Sequence, residues 1–186
     1  NQELSNVESW LNANRLSLNV NKSACSFISN KNVLNAPSVL IRNQEIALVD
    51  KFKFLGVTVD NKLSFKYHIS NVSSKISRSY SILYKLSHFL PQQTLKKLYY
   101  SMIYPFITYA IEVWGKSCNT QLKRIKSIMN KCVKLISVNS SFNKVDYVNL
   151  NLFQFDEVYN SFVLIRLCKY INSNDNSFKI TSNRDG

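Results

Sequence analysis

An apolar stripe through the middle of this chain restricts its folding more than any other feature: Phe65, Ile69, Val72, Ile76, Tyr80, Leu83 and Leu86 recur at steps of three and four. That period belongs to an α-helix with one buried face. Lys66, Lys75, Arg78 and Lys85 fall off the stripe, so the helix should carry a basic back. Pro91 predicts a break and Thr94 a cap for a second helix, whose apolar face is Leu95, Leu98, Tyr99, Met102 and Ile103 until Pro105 interrupts it. A third helix is predicted after Asn119, with Leu122, Ile125, Met129, Cys132, Val133 and Ile136 inward and Lys123, Arg124, Lys126, Lys131 and Lys134 outward. Three helices sharing a core and showing basic backs are expected.

The charge follows the same boundary. Residues 61 to 144 hold fourteen basic residues and one acid, Glu112, whereas the remainder holds ten of each sign. All of the formal charge of +13 therefore lies in the middle segment. A solvated helix ordinarily mixes both signs and gains pairing at i, i+4; this segment forgoes nearly all such pairs and accepts self-repulsion. Any single lysine is adequately explained as a solvated surface residue, but the set points to a polyanionic partner, nucleic acid first. The candidate contacts are Lys66, Lys75, Arg78, Lys85, Lys96, Lys97, Lys123, Arg124, Lys126, Lys131 and Lys134.

The flanks differ in kind. An opening helix carries Leu4, Val7, Trp10 and Leu11 at helical spacing, ends near Asn14, and has no cap signal before it, so the natural chain is expected to extend upstream. Leu16 to Val20 alternates, and Ala24 to Ser29 reads as a short strand closed by a turn at Ser29-Asn30-Lys31-Asn32. Val39 to Arg42 and Glu45 to Val49 suggest a hairpin across Asn43-Gln44, although that turn lacks the usual Gly. Lys53 to Val59 reads as the strongest strand, with Asp50 and Asp60 flanking it as turn formers too far apart to share a metal ion. Beyond residue 144, Val158, Phe162, Ile165 and Cys168 outline one more helix, with Asp156, Glu157, Arg166 and Lys169 complementing its dipole. The expected fold is α+β: short antiparallel strands after an N-terminal helix, followed by a mainly helical bundle, with boundaries at 1–60, 61–144 and 145–186.

Whole classes of chemistry fall away. Three glycines in 186 residues leave no Gly-x-Gly-x-x-Gly, no Walker-type loop and no Gly-x-Ser-x-Gly elbow, each of which needs Gly for close backbone approach or a tight turn. Cys25, Cys118, Cys132 and Cys168 are far apart and form no Cys-x-x-Cys, so no zinc or other metal site is expected; they read as reduced intracellular thiols buried like small hydrophobes. His68 and His88 have no carboxylate or thiol partner at useful spacing. The longest apolar stretch, Met102 to Trp114, contains Pro105 and Glu112 and is too short for a bilayer, so no membrane partner is expected.

Phe54-Leu55-Gly56-Val57 and Leu98-Tyr99-Tyr100-Ser101-Met102-Ile103-Tyr104-Pro105 carry a family likeness. The chain resembles the C-terminal part of reverse transcriptases of jockey-like non-LTR retrotransposons, colinearly over about residues 3 to 170. Trp10 to Asn19 with Lys22 is similar to the fourth palm motif, Lys53 to Val57 to the primer grip that follows it, and His68 to Gly115 with the Leu122 to Ile136 helix to the thumb. Ala110 departs from the glycine common there.

The resemblance implies a palm sheet and a helical thumb that holds an RNA:DNA hybrid, or an RNA template with its DNA primer, through phosphates on both strands without reading bases. It implies that Phe54, Leu55 and Gly56 press on the primer's terminal sugars; without it, the same residues are an ordinary strand ending. It also implies a proton-donating role for Lys22 toward departing pyrophosphate, against the plainer reading of a solvated lysine. Tyr99, Tyr100, Tyr104 and Tyr109 are read as packing residues, with base stacking as the alternative. Two-metal transfer needs an Asp-Asp pair, and no such dipeptide occurs. Mg2+ is therefore expected in the complete parent polymerase, held by an upstream part of the same polyprotein, with no cofactor on this chain and no catalysis by it alone. A stand-alone nucleic-acid-binding module or decayed element remnant is the alternative, and a helical protein meeting an acidic chain is a third. Nothing in the residues chooses between nucleus and cytoplasm.

Overall fold

In the computed structural model, residues 2–29, 38–41, 44–137 and 145–182 are described. The fold is α+β and divides into two compact units, residues 1–68 and 69–186. Each is considered by itself.

In the first unit, helix α1 (Gln2–Ala13) ends where its amphipathic pattern ends. Arg15, at φ 55°, turns the chain left-handed. Arg15 N–H then reaches Asn12 O at 3.0 Å and Leu16 N–H reaches Leu11 O at 2.9 Å, the paired bonds of a Schellman stop made without its usual Gly. Leu16 to Asn19 forms no strand despite its alternation; it leads into one 3-10 turn, Val20–Lys22, capped by Asn19 Oδ1 on Lys22 N–H.

The strands of this unit are short. β1 (Ala24–Cys25) covers only two residues of the expected Ala24–Ser29 strand, and it pairs in parallel with β4 (Ala47–Leu48), an exception to the antiparallel expectation. β2 (Leu40–Ile41) and β3 (Gln44–Glu45) form the expected antiparallel hairpin, with Leu40 opposite Glu45 and not Ala47, so that the connection falls one residue earlier than expected. Its turn, and the Asn30–Asn32 part of the Ser29–Asn32 turn, lie outside the described residues.

The expected single strand over Lys53–Val59 is a hairpin instead. β5 (Lys51–Phe54) pairs antiparallel with β6 (Val57–Asp60), Phe54 opposite Val57 and Lys51 opposite Asp60. Leu55 at φ 45° and Gly56 at φ 85° make a two-residue turn with both centres left-handed. That is the geometry whose twist suits a tight hairpin. Asp50 and Asp60 consequently stand at the same end, the root, and not at opposite ends of one strand. Both still serve turns: Asn61 Nδ2 donates to Asp50 Oδ1 at 3.2 Å, and Asp60 Oδ1 accepts from Lys62 N–H and Ser64 N–H, both at 3.1 Å. Ser64 Oγ donates to Asp60 Oδ2 at 3.0 Å and accepts from Lys66 N–H at 3.4 Å, so the same knot starts α2 (Lys66–Leu86). Phe65, expected within that helix, precedes it at φ 55°. His68 is buried, its Nδ1 accepting from Thr58 N–H at 3.4 Å.

The second unit is helical. α2 continues through it and buries Ile69, Val72, Ile76 and Leu83 along the expected stripe. α3 (Gln92–Met102) starts directly after Pro91, so Thr94 sits inside the first turn and is not the cap. Pro105 occupies the first turn of a new helix, α4 (Tyr104–Thr108), where its missing N–H is harmless. α5 (Ile111–Trp114) follows a left-handed Ala110 at φ 51°. α6 (Asn119–Ser137) buries all six residues assigned inward, together with Ile128. α7 (Val145–Asn149) was not foreseen, and α8 (Phe155–Ser182) runs longer than the apolar spacing indicated. Trp114, Tyr99, Ile125, Met129 and Ile136 are among the fully buried side chains at the centre. Cys132 is buried with them, but Cys118 and Cys168 are exposed and Cys25 is half-buried, so the reading of buried thiols holds only for Cys132.

Candidate nucleic-acid interface

α2 and α6 each turn an apolar face into the helical core, and between their outer faces lies an open groove of about 570 Å³. α2 lines it with Ser77, Tyr80 and Ser81, and α6 with Thr120, Lys123, Arg124, Ser127, Ile128 and Lys131. The small hydroxyl residues keep the floor low. Ser77 and Ser81 spend their O–H groups on the carbonyls one turn back, at 2.7 and 3.1 Å, so they fill little space and leave no donor stranded. Lys123, Arg124 and Lys131 supply the charge.

Helical spacing extends this set along both walls. Arg78 and Lys85 bracket Ser81 at i−3 and i+4 on α2, and Lys134 follows Lys131 at i+3 on α6; all three are exposed. Three cations thus line the groove, and three more lie at neighbouring positions on the same two helices. The other sequence candidates are placed elsewhere. Lys75 lies over the Phe106 ring at 5.4 Å, against α4. Lys126 is turned to α8, its Nζ 2.8 Å from both carboxylate oxygens of Asp156 and 5.5 Å from the Phe155 ring centre. Lys96 is half-buried and Lys97 exposed on α3; neither lines the groove. Lys66 belongs to the other unit, 4.9 Å over the Tyr67 ring.

The acids are accounted for as well. Glu112 is paired with Arg166 of α8, Nη2 to Oε2 at 2.7 Å. Glu157 Oε2 accepts from Gln154 N–H at 2.8 Å and so caps its own helix. Asp156 and Arg166 therefore do more than complement a helix dipole. The sole acid of the basic segment is paired with a residue outside that segment and does not line the groove.

In the first unit the hairpin tip projects its apolar surface: Phe54 is 62% and Leu55 75% exposed, beside Gly56. Lys22 sits in the 3-10 turn with its side chain exposed. Among the described residues no three His, Cys, Asp or Glu side chains gather closely enough to hold a metal ion. Asp50 and Asp60 are engaged by Asn61, Lys62 and Ser64, so the residues present do not fit a two-metal centre. No helix of the described residues is long and apolar enough to cross a membrane.

Sequence reasoning missed Ser77, Ser81, Thr120 and Ser127. Their only signal is hydroxyl residues spaced by about one turn on the polar faces of two helices, and that becomes meaningful once the helices are neighbours. Tyr99 and the Tyr100 and Tyr104 rings pack on one another at centroid distances of 5.1 to 6.2 Å, and Tyr99 is fully buried, which fits the packing reading. Tyr109 is exposed, with its carbonyl accepting from Trp114 Nε1 at 2.9 Å.

The chain is 29% identical over 105 residues to the probable RNA-directed DNA polymerase from transposon X-element of Drosophila melanogaster, covering 54% of this chain and 12% of that protein. It is 26% identical over 136 residues to the RNA-directed DNA polymerase from mobile element jockey of Drosophila melanogaster, covering 70% of this chain and 14% of that one. The jockey polymerase of Drosophila funebris is 26% identical over 125 residues, covering 64% and 14%. The chain thus matches 12 to 14% of the length of these curated relatives. No family model matches the chain. No solved structure matches it either. The resemblance read from the residues is therefore matched by the relatives: the chain is similar to part of a jockey-like RNA-directed DNA polymerase.

Proposed function

We propose that this chain is the trailing palm (residues 1–60), thumb (61–144) and C-terminal helix (145–186) of a reverse transcriptase from a non-LTR element, and that it grips template-primer duplex for chemistry performed by upstream carboxylates. The observation that carries the reading is the α2/α6 groove, which Lys123, Arg124 and Lys131 line together with small hydroxyl side chains and no acid, and whose helices carry the exposed Arg78, Lys85 and Lys134 at neighbouring positions. Phosphate oxygens satisfy such cations without any reference to base identity, which a polymerase accepting every template requires.

On this reading the duplex lies along the groove, and the approaching lysines displace the counterions condensed on its phosphates into solvent. The exposed Phe54-Leu55-Gly56 tip would bear on the primer's terminal sugars, where Gly56 permits close backbone approach. Lys22 would offset charge on departing pyrophosphate. Mg2+ would be held by carboxylates of the parent polymerase upstream of this chain.

The test is fluorescence anisotropy of a labelled RNA:DNA hybrid with the 186-residue chain over a salt series. Six phosphate contacts predict a slope of log affinity on log salt near about −5. Absent or salt-indifferent binding in dilute buffer would overturn the proposal. Primer extension by a polymerase carrying this chain, lost when Lys123, Arg124 and Lys131 are all changed to Ala, separates a polymerase thumb from a binding module without catalysis.

A further inference from the structure

The groove does not stop at Tyr80. From that residue an aromatic ladder continues along the last turns of α2 and beyond: Tyr80 to Tyr84, Tyr84 to His88 and His88 to Phe89 have ring centroids 6.4, 5.4 and 6.5 Å apart. The outer rungs are open to solvent, Tyr84 at 51% and Phe89 at 84% exposure. Single exposed aromatics are ordinary on protein surfaces. Four in sequence, beginning in the wall of a cationic groove, are not scattered.

The ladder is also held in place. Beyond the helix, Ser87 N–H donates to Leu83 O, and both Phe89 N–H and Leu90 N–H donate to Leu86 O at 3.0 Å. Ser87 Oγ donates to Tyr84 O at 2.7 Å. Phe89 is thus presented on a bonded turn. The Tyr84–His88 contact is edge-to-face at 85° and the His88–Phe89 contact is at 79°. Edge-on contacts occupy few ring faces and leave others available. Lys85, exposed beside Tyr84, adds a cation at the same level.

We propose that this ladder is a stacking platform for unpaired bases, so that a single strand leaving the duplex in the groove runs along the end of α2 with its bases on Tyr84 and Phe89. The proposal rests on the reading of the groove as a duplex site. Cations for phosphates together with open π faces form the combination that holds single-stranded nucleic acid without regard to sequence, because every base offers a face. A purely apolar partner protein would use the rings but not the cations that accompany them.

The experiment measures anisotropy of the 186-residue chain with a blunt RNA:DNA hybrid and with the same hybrid carrying a single-stranded extension of about ten nucleotides, within the span such sites cover. The extension is expected to tighten binding by about tenfold, the effect of stacking one or two bases. The double variant Tyr84→Ala, Phe89→Ala removes only exposed rings and is expected to lose that gain while binding the blunt hybrid unchanged. Val148→Ala, an exposed apolar truncation on α7, is expected to keep both. If the extension brings no gain, or the gain survives in the double variant, the platform is overturned while blunt-hybrid binding leaves the groove reading standing. If the unaltered chain ignores the blunt hybrid as well, both fall.

Discussion

Lys126 Nζ lies 2.8 Å from each carboxylate oxygen of Asp156, a residue thirty positions further along the chain. The pair turns one of the outward lysines of α6 away from solvent anions and toward α8. Lys131, on the opposite side of the same helix, lines the α2/α6 groove. Lys126→Ala is therefore expected to leave hybrid affinity and its salt slope nearly unchanged. Lys131→Ala should weaken binding and make the slope about 0.9 less steep. Titrations at three or more salt concentrations for both variants check this, and equal losses would contradict the assignment.

Asp60 is 4% exposed and accepts three hydrogen bonds at the root of the β5–β6 hairpin. Burial pushes its carboxyl up, but the bonds from Ser64 and Lys62 outweigh burial and hold it below its ordinary value of 3.8. A carboxylate with a depressed folded pKa stabilises above its unfolded pKa, and that contribution is lost as pH falls through the folded value. The contribution of Asp60 should therefore be fully present above its unfolded pKa and be lost in the acid range as pH falls through the folded value. Asp60→Asn should weaken the hairpin root by about 2 kcal/mol and flatten the acid limb, as read by urea midpoints across pH.

Ala110 pays for its left-handed φ of 51°, where a Cβ is disfavoured. Ala110→Gly is expected to stabilise the second unit by about 1 kcal/mol, raising Tm by a few degrees. Gly115 has ordinary dihedrals and a different constraint: a Cβ there would stand 2.5 Å from Ile111 O and 2.6 Å from Tyr159 Cδ2. Gly115→Ala should cost about 1 to 3 kcal/mol. Thermal melts of the two variants should move in opposite directions.

The thiols should separate by reactivity. Bonds from Thr120 lower the Cys118 thiol at the exposed start of α6, whereas burial pushes Cys132 up to about 12. Thiolate is the reacting form. Timed maleimide labelling followed by mass spectrometry should find Cys118 modified early and Cys132 protected until the chain unfolds.

How much of this was legible depended on the range of the interactions. The six inward residues of α6 were readable because one helical stripe reports one buried face, and the same holds for Ile69 to Leu83 of α2. The β5–β6 turn was not, because Leu55-Gly56 lacks the Asn-Gly signature and its apolar neighbours read as a continuous strand. Ala110 hides its φ because no residue-level pattern announces a left-handed Ala. The Glu112–Arg166 and Lys126–Asp156 pairs join residues 54 and 30 positions apart, and the groove exists only where α2 and α6 become neighbours. The cationic candidates could be named from composition; the sorting of Lys123, Arg124 and Lys131 into the groove and of Lys75, Lys126 and Lys66 elsewhere required the packing.

The hairpin has a further property that follows from how its two ends are made. Side chains knot its base, and two left-handed residues close its far end, so neither terminus of the ladder can slide past the other. Its reach is set by the number of rungs alone: the three steps between its four residue pairs, at about 3.4 Å each, carry the closing pair roughly 10 Å outward. Removing two pairs would retract Phe54 and Leu55 by about 7 Å and keep them on the same face, making this element a ruler whose length can be altered in steps of two residues.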